Sequence, residues 1–173
     1  MRKIRVSSIL PVTYRGELER IVFFNQEQNQ VTKPLLDSLH RYGIPTIVEE
    51  DACLRFRVRA FGRLQSLYAF DETTAPARLA GVAMFVRESP TSIVVLHLAA
   101  HEDYTTRGKW SNASVVVQLL IAIRGASLRT RGIETLRILY PHEIRLRLHP
   151  TDGADRNRRA RRRDGSPEKH NLG

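Results

Sequence analysis

Cysteine is nearly absent from this chain. One thiol, Cys53, stands among 173 residues, so no internal disulfide can form and stability must come from a packed core. No group of Cys and His has metal-ligand spacing, and no metal site is expected. Tryptophan is as scarce, with Trp110 alone. No uninterrupted apolar run reaches the roughly 20 residues of a membrane span. The opening Met1-Arg2-Lys3-Ile4-Arg5 is basic, but the residues after it are too mixed for a secretory signal core. No membrane partner is expected, and these absences together favour the cytoplasm. The sequence also lacks a P-loop and a nucleophile-elbow serine, which removes two common kinds of catalytic site.

What is present fits a globular domain. Hydrophobic residues make up 42% and charged residues 27% of the chain, ordinary values for a packed protein. The expected organisation is one domain over 1–150 and a tail over 151–173. The tail contains Leu172 as its one aliphatic side chain larger than alanine, and no Phe, Tyr or Trp. It cannot bury enough to offset chain entropy and is expected to be disordered. Net charge is +10. The tail, with seven Lys/Arg against four Asp/Glu, supplies +3 of it, and residues 1–150 supply +7. Such a surface favours anions: coenzyme phosphates, acidic protein or nucleic acid. Base-stacking aromatics are missing from the run Arg156 to Arg163. Sequence-specific reading of a single strand is therefore not expected there; the run reads first as a solubilising tail, with salt-sensitive nonspecific contact to nucleic acid or acidic protein as the alternative.

Periodicity predicts alternating strands and helices. Lys3 to Leu10 suits a strand ended by Pro11. Gly16 to Gln28 carries Leu18, Ile21, Val22 and Phe24 at helical spacing. Thr32-Lys33-Pro34 opens a second helix, stopped by Gly43 and Pro45. Leu54 to Arg59 alternates strictly, with Arg55, Arg57 and Arg59 on one face, and Leu64 to Phe70 returns after a turn at Gly62. Leu79 to Arg87 and Ile93 to Ala100 come next, as a strand pair about Ser89-Pro90. Ser111 to Leu128 is a helix with Val115, Val116, Val117, Leu119, Leu120, Ile121 and Ile123 around most of its circumference. That pattern predicts cover on nearly every side, by the sheet and by a neighbouring helix or second subunit. Gly132 ends it, Thr135 to Tyr140 reads as a strand, and Ile144 to Leu148 as a short last one.

The segment from Leu79 to Tyr140 carries the functional signal. Its second strand ends in Leu98-Ala99-Ala100, then His101-Glu102-Asp103-Tyr104 makes a corner. Thr105-Thr106-Arg107-Gly108-Lys109-Trp110 forms a basic, glycine-containing loop that leads into a helix. Helix N-termini suit phosphates because they carry free N–H groups and partial positive charge. In this order of elements the chain resembles the GCN5-related N-acetyltransferase family. The resemblance is specific over about 60 residues, reaches the N-terminal half by order of elements, and stops at Tyr140. It departs from the family loop at Thr105, where a basic or amide residue is usual. It departs again at Trp110, where a small residue lets the backbone approach phosphate. The helix and two strands that normally come after are shortened or replaced here.

The resemblance implies an α/β (α+β) fold with a mixed, mainly antiparallel central sheet flanked by helices. It implies acetyl-CoA as co-substrate. The pantetheine and thioester would lie along Leu98, Ala99 and Ala100, and the pyrophosphate at Arg107, Gly108, Lys109, Trp110, Ser111 and Asn112. Acetyl transfer to an amine needs a base, stabilisation of an oxyanion and an acid for the thiolate. The candidates are His97, Glu102 and Tyr140, with a strand N–H near Leu98 or Ala99 polarising the carbonyl. The acceptor amine is not legible. The alternative is a protein of the same fold without turnover, binding an anionic partner. A homodimer is expected, because a second copy would cover what the missing helix covers elsewhere.

Overall fold

The computed structural model describes residues 2–23, 37, 39–139 and 144–148. The expected strands and helices condense into a mixed α+β fold. Nine strands are described: β1 (Ile4–Ser7), β2 (Thr46–Glu50), β3 (Cys53–Val58), β4 (Gly62–Arg63), β5 (Gln65–Asp71), β6 (Arg78–Ser89), β7 (Ser92–Ala100), β8 (Thr135–Ile138) and β9 (Ile144–Arg147). Two α-helices are described from end to end, α1 (Arg15–Phe23) and α2 (Val115–Arg129), and residues 37 and 39–42 are helical as well. The central sheet has six strands in the order β1-β5-β6-β7-β8-β9. All its pairs are antiparallel except β7–β8. A parallel pair requires a crossover, and α2 supplies it.

Each face of the central sheet has its own core. On one face Leu18, Ile21 and Val22 of α1 pack with Leu79, Val82, Met84 and Leu96. Their spacing of i, i+3, i+4 puts all three on one side of a nine-residue helix. Glu17 anchors the start of α1, since its Oε2 accepts the Leu79 N–H at 2.8 Å. On the other face Val115, Leu119 and Ile123 of α2 seat on Ala80, Ala83, Phe85, Ile93 and Val95. Gly81 permits that approach: a Cβ there would stand 2.7 Å from Val115 Cγ1 and 2.9 Å from Ala99 O.

The alternation of Leu54 to Val58 is real, but its strand does not join the central sheet. β3 pairs with β2 and with the short β4, forming a separate three-stranded sheet. Leu54, Phe56 and Val58 point into the α1-side core, leaving Arg55, Arg57 and Arg59 outward. The expected return strand, β5, pairs with β1 and β6 instead. The strand Thr46–Glu50 has no counterpart among the expected elements.

The long helix also differs from expectation. It begins at Val115, because Ser111–Ala113 forms a separate 3-10 turn and Ser114 is left-handed at φ +50°. Only one stripe is covered, namely Val115, Leu119, Ile123 and Ser127. Val117 and Ile121 are 53% and 65% exposed, so among the described residues nothing covers the far face. Ser111–Arg129 is the one described helical stretch long and apolar enough to cross a membrane. The expected disordered tail and the expected second helix start at Thr32 lie outside the described residues.

Candidate functional site

A bulge in β7 shapes the site. Met84 stands opposite His97, but its neighbour Phe85 stands opposite Val95, so Leu96 is an extra residue on β7. The bulge breaks the alternation of faces. Leu96 and His97 consequently turn to the same side, the α1 face, while Val95 and Leu98 face α2. His97 becomes part of the wall of an apolar cavity of about 170 Å³. The remaining wall comes from Val22 and Phe23 of α1, from Leu39, from Tyr42 to Pro45, and from Val58, Leu64, Met84 and Leu96.

The His97 imidazole is buried, and loss of hydration lowers its pKa from 6.5 to about 4. It is neutral at pH 7 and a weak base. Between these two values the unfolded chain binds the proton that the folded chain refuses. His97 therefore supports the fold fully above pH 6.5, and that support falls away as pH drops through 4. The shift corresponds to about 3 kcal/mol. Urea titrations at pH 4 and pH 7 are expected to show a stability difference that His97→Leu reduces. His101 shifts in the same direction, through burial and then the nearby Arg78, so a smaller slope remains in the variant.

Beyond β7 the corner Glu102–Tyr104 is a single 3-10 turn. Its His101 is structural. Its ring caps the turn, Nδ1 accepting the Asp103 N–H at 3.3 Å, while Arg78 Nη2 lies 2.9 Å from Nε2. Arg78 also donates to Asp103 Oδ2 at 2.7 Å. Glu102 is exposed at the protein surface. Tyr140 lies outside the described residues.

The basic loop is folded tightly onto this corner. The N–H of Gly108 donates to Thr105 O (3.0 Å), that of Trp110 to Asp103 O (2.7 Å), and that of Ser111 to Gly108 O (3.3 Å). Arg107, Lys109, Ser111 and Asn112 are exposed. Trp110 lays its ring 5.0 Å from that of Tyr104, beneath the Arg2 guanidinium at 3.7 Å, with Lys109 and Arg78 farther out at 5.4 and 5.5 Å. Three cations thus surround one indole. The start of α2, just beyond, is uncapped by the Ser114 side chain, so its first-turn N–H groups have no intrahelical acceptors. Leu98, Ala99 and Ala100 form the last part of β7, opposite Ala83, Val82 and Gly81.

A second polar cluster, absent from the expected site, holds this region together. Asp71, at the end of β5, is fully buried. Burial alone would raise its pKa. Bonds from the Thr73 hydroxyl, the Tyr104 hydroxyl, the Thr73 N–H and Arg2 outweigh that and hold the carboxyl down to about 2. The Tyr104 hydroxyl donates to Asp71 Oδ2 at 2.7 Å, and its own pKa rises through burial and that bond. Arg2 reaches the same oxygen at 2.5 Å and stacks on Trp110. The one signal for it in the sequence is Asp71-Glu72-Thr73, where Asp71 Oδ1 accepts the N–H two residues on, as turn aspartates do. Among the described residues no group of acidic, His or Cys side chains is placed to hold a metal.

No protein-family model, curated protein or solved structure matches this chain.

Proposed function

We propose that this chain binds an acyl-CoA and transfers its acyl group to an amine, as an N-acyltransferase of GCN5-related type. One observation carries the reading. The parallel pair β7–β8 is bridged by α2, whose uncapped N-terminus comes after the C-terminal end of β7 across a loop bearing Arg107 and Lys109. Coenzyme phosphates would lie against that helix start and those two cations, which suit them electrostatically. The acyl end would lie toward the bulge at His97.

In this reading the amine attacks neutral, through its nitrogen lone pair, at the thioester carbonyl. The C–S bond breaks, and the ammonium proton ends on the departing sulfur, giving amide and free thiol. His97 is too weak a base to hold that proton at pH 7. Its role is to orient the amine, the unprotonated ring nitrogen accepting a hydrogen bond from an amine N–H so that the nitrogen lone pair stays free to attack. Replacing Arg107 and Lys109 together by glutamate is expected to weaken acetyl-CoA binding at least tenfold, since two contacts to phosphate become repulsive. Unchanged affinity in calorimetry would exclude the loop as the phosphate site.

A specific observation supports a second reading. Gly108, Trp110 and Ser111 give their N–H groups to the loop itself, so the loop provides fewer donors for phosphate than the family pattern implies. A protein of this fold that binds an anionic partner without turnover fits that feature.

A further inference from the structure

The cavity beside His97 has a chemistry of its own. Among the described lining residues the side chains are aliphatic, sulfur-bearing or aromatic, apart from two polar ones, Tyr42 and His97. The Tyr42 hydroxyl is turned elsewhere: it donates to Glu88 Oε1 at 2.9 Å, and Glu88 is paired with Arg137 and Arg41. His97 is the other polar side chain among the described lining residues. Two of the lining residues, Phe23 and Ile44, are 42% and 69% exposed, which gives the cavity an apolar mouth. An apolar void of about 150 Å³ in another protein stays dry and accepts benzene, and this one is slightly larger at about 170 Å³.

We infer that this cavity binds a neutral, apolar group the size of a benzene ring or a short acyl chain. A carboxylate or ammonium group would be stripped of water there with no counter-charge among the described lining residues, at high cost. Binding of such a group stands on the cavity alone. Its assignment as the acyl chain being transferred rests on the acyltransferase reading.

The test uses the full chain and three six-carbon probes: hexanamide, hexanoate and hexylammonium. Saturable shifts of the cavity methyl resonances with hexanamide, at least tenfold weaker with the two ions, are expected. Val58→Phe and Leu64→Phe, each checked for a cooperative thermal transition, should lose at least tenfold in hexanamide affinity. Equal binding of all three probes, no binding of any, or undiminished binding in a folded filled variant would overturn the inference. Hexanoyl-CoA against acetyl-CoA then separates the two claims. Tighter binding of hexanoyl-CoA supports the acyl assignment, and equal binding overturns it. Failure of both coenzymes with hexanamide still bound would remove the acyltransferase reading and leave the cavity's ligand class intact.

Discussion

Replacing Asp71 by alanine is expected to cost about 4 kcal/mol, because breaking a buried ion pair leaves its partners unsatisfied. Four donors lose their acceptor at once: the Tyr104 hydroxyl, the Arg2 guanidinium, the Thr73 N–H and the Thr73 hydroxyl. Arg2 then also loses what fixes it over Trp110. For a chain of this length the melting temperature should fall by on the order of 10 °C. Asp71→Asn should lose less, since it keeps one acceptor oxygen. The acid limb of stability gives a second readout. The carboxyl titrates at 3.8 ordinarily and near 2 in the fold, so its contribution is present above pH 4 and disappears as pH falls through 2. The variant lacks that limb. A cost below about 1 kcal/mol in urea unfolding at pH 7 would mean that water replaces the lost bonds and that the corner does not depend on Asp71.

The second large effect belongs to Gly108. A methyl group there would stand 2.3 Å from Glu102 O and 2.4 Å from the Asp103 carbonyl carbon and oxygen. All three are backbone atoms of the 3-10 turn, so no side chain can swing aside. Gly108→Ala is expected to cost about 3 kcal/mol, at the upper end for overpacking, and to shift the Trp110 emission by loosening its seat beside Tyr104. Circular dichroism and tryptophan fluorescence on one melting curve check both. The result bears on function too. The glycine serves packing of the loop on its own corner, a reason for glycine that needs no phosphate.

Local pattern makes part of this fold readable. The strands β6 and β7 announce themselves as long apolar runs around Ser89-Pro90, and Leu18, Ile21 and Val22 mark the buried side of α1. Non-local pairing is not readable. Nothing in the alternation of Leu54 to Val58 says which sheet the strand joins, because β1 and β6 compete for β5 from far away in sequence. Thr46–Glu50 escapes notice because Ile47 and Val48 are its only large apolar residues, and its edge position needs no more. The helix reads as wrapped on all sides because valine and isoleucine recur at every angle, yet Val117 and Ile121 face outward. His97 stands out on its strand, but its cavity does not. The cavity depends on the one extra residue, Leu96, and a bulge leaves no local mark in sequence.

The loop and the α2 start form, in the acyltransferase reading, a site for an acyl-CoA. Isothermal titration of the full chain with acetyl-CoA, free CoA and ATP at moderate salt tests this most directly. The acyltransferase reading predicts saturable micromolar binding of acetyl-CoA and CoA, with ATP far weaker. No binding, or equal and salt-sensitive binding of all three, would contradict it and leave the basic surface as a general anion binder.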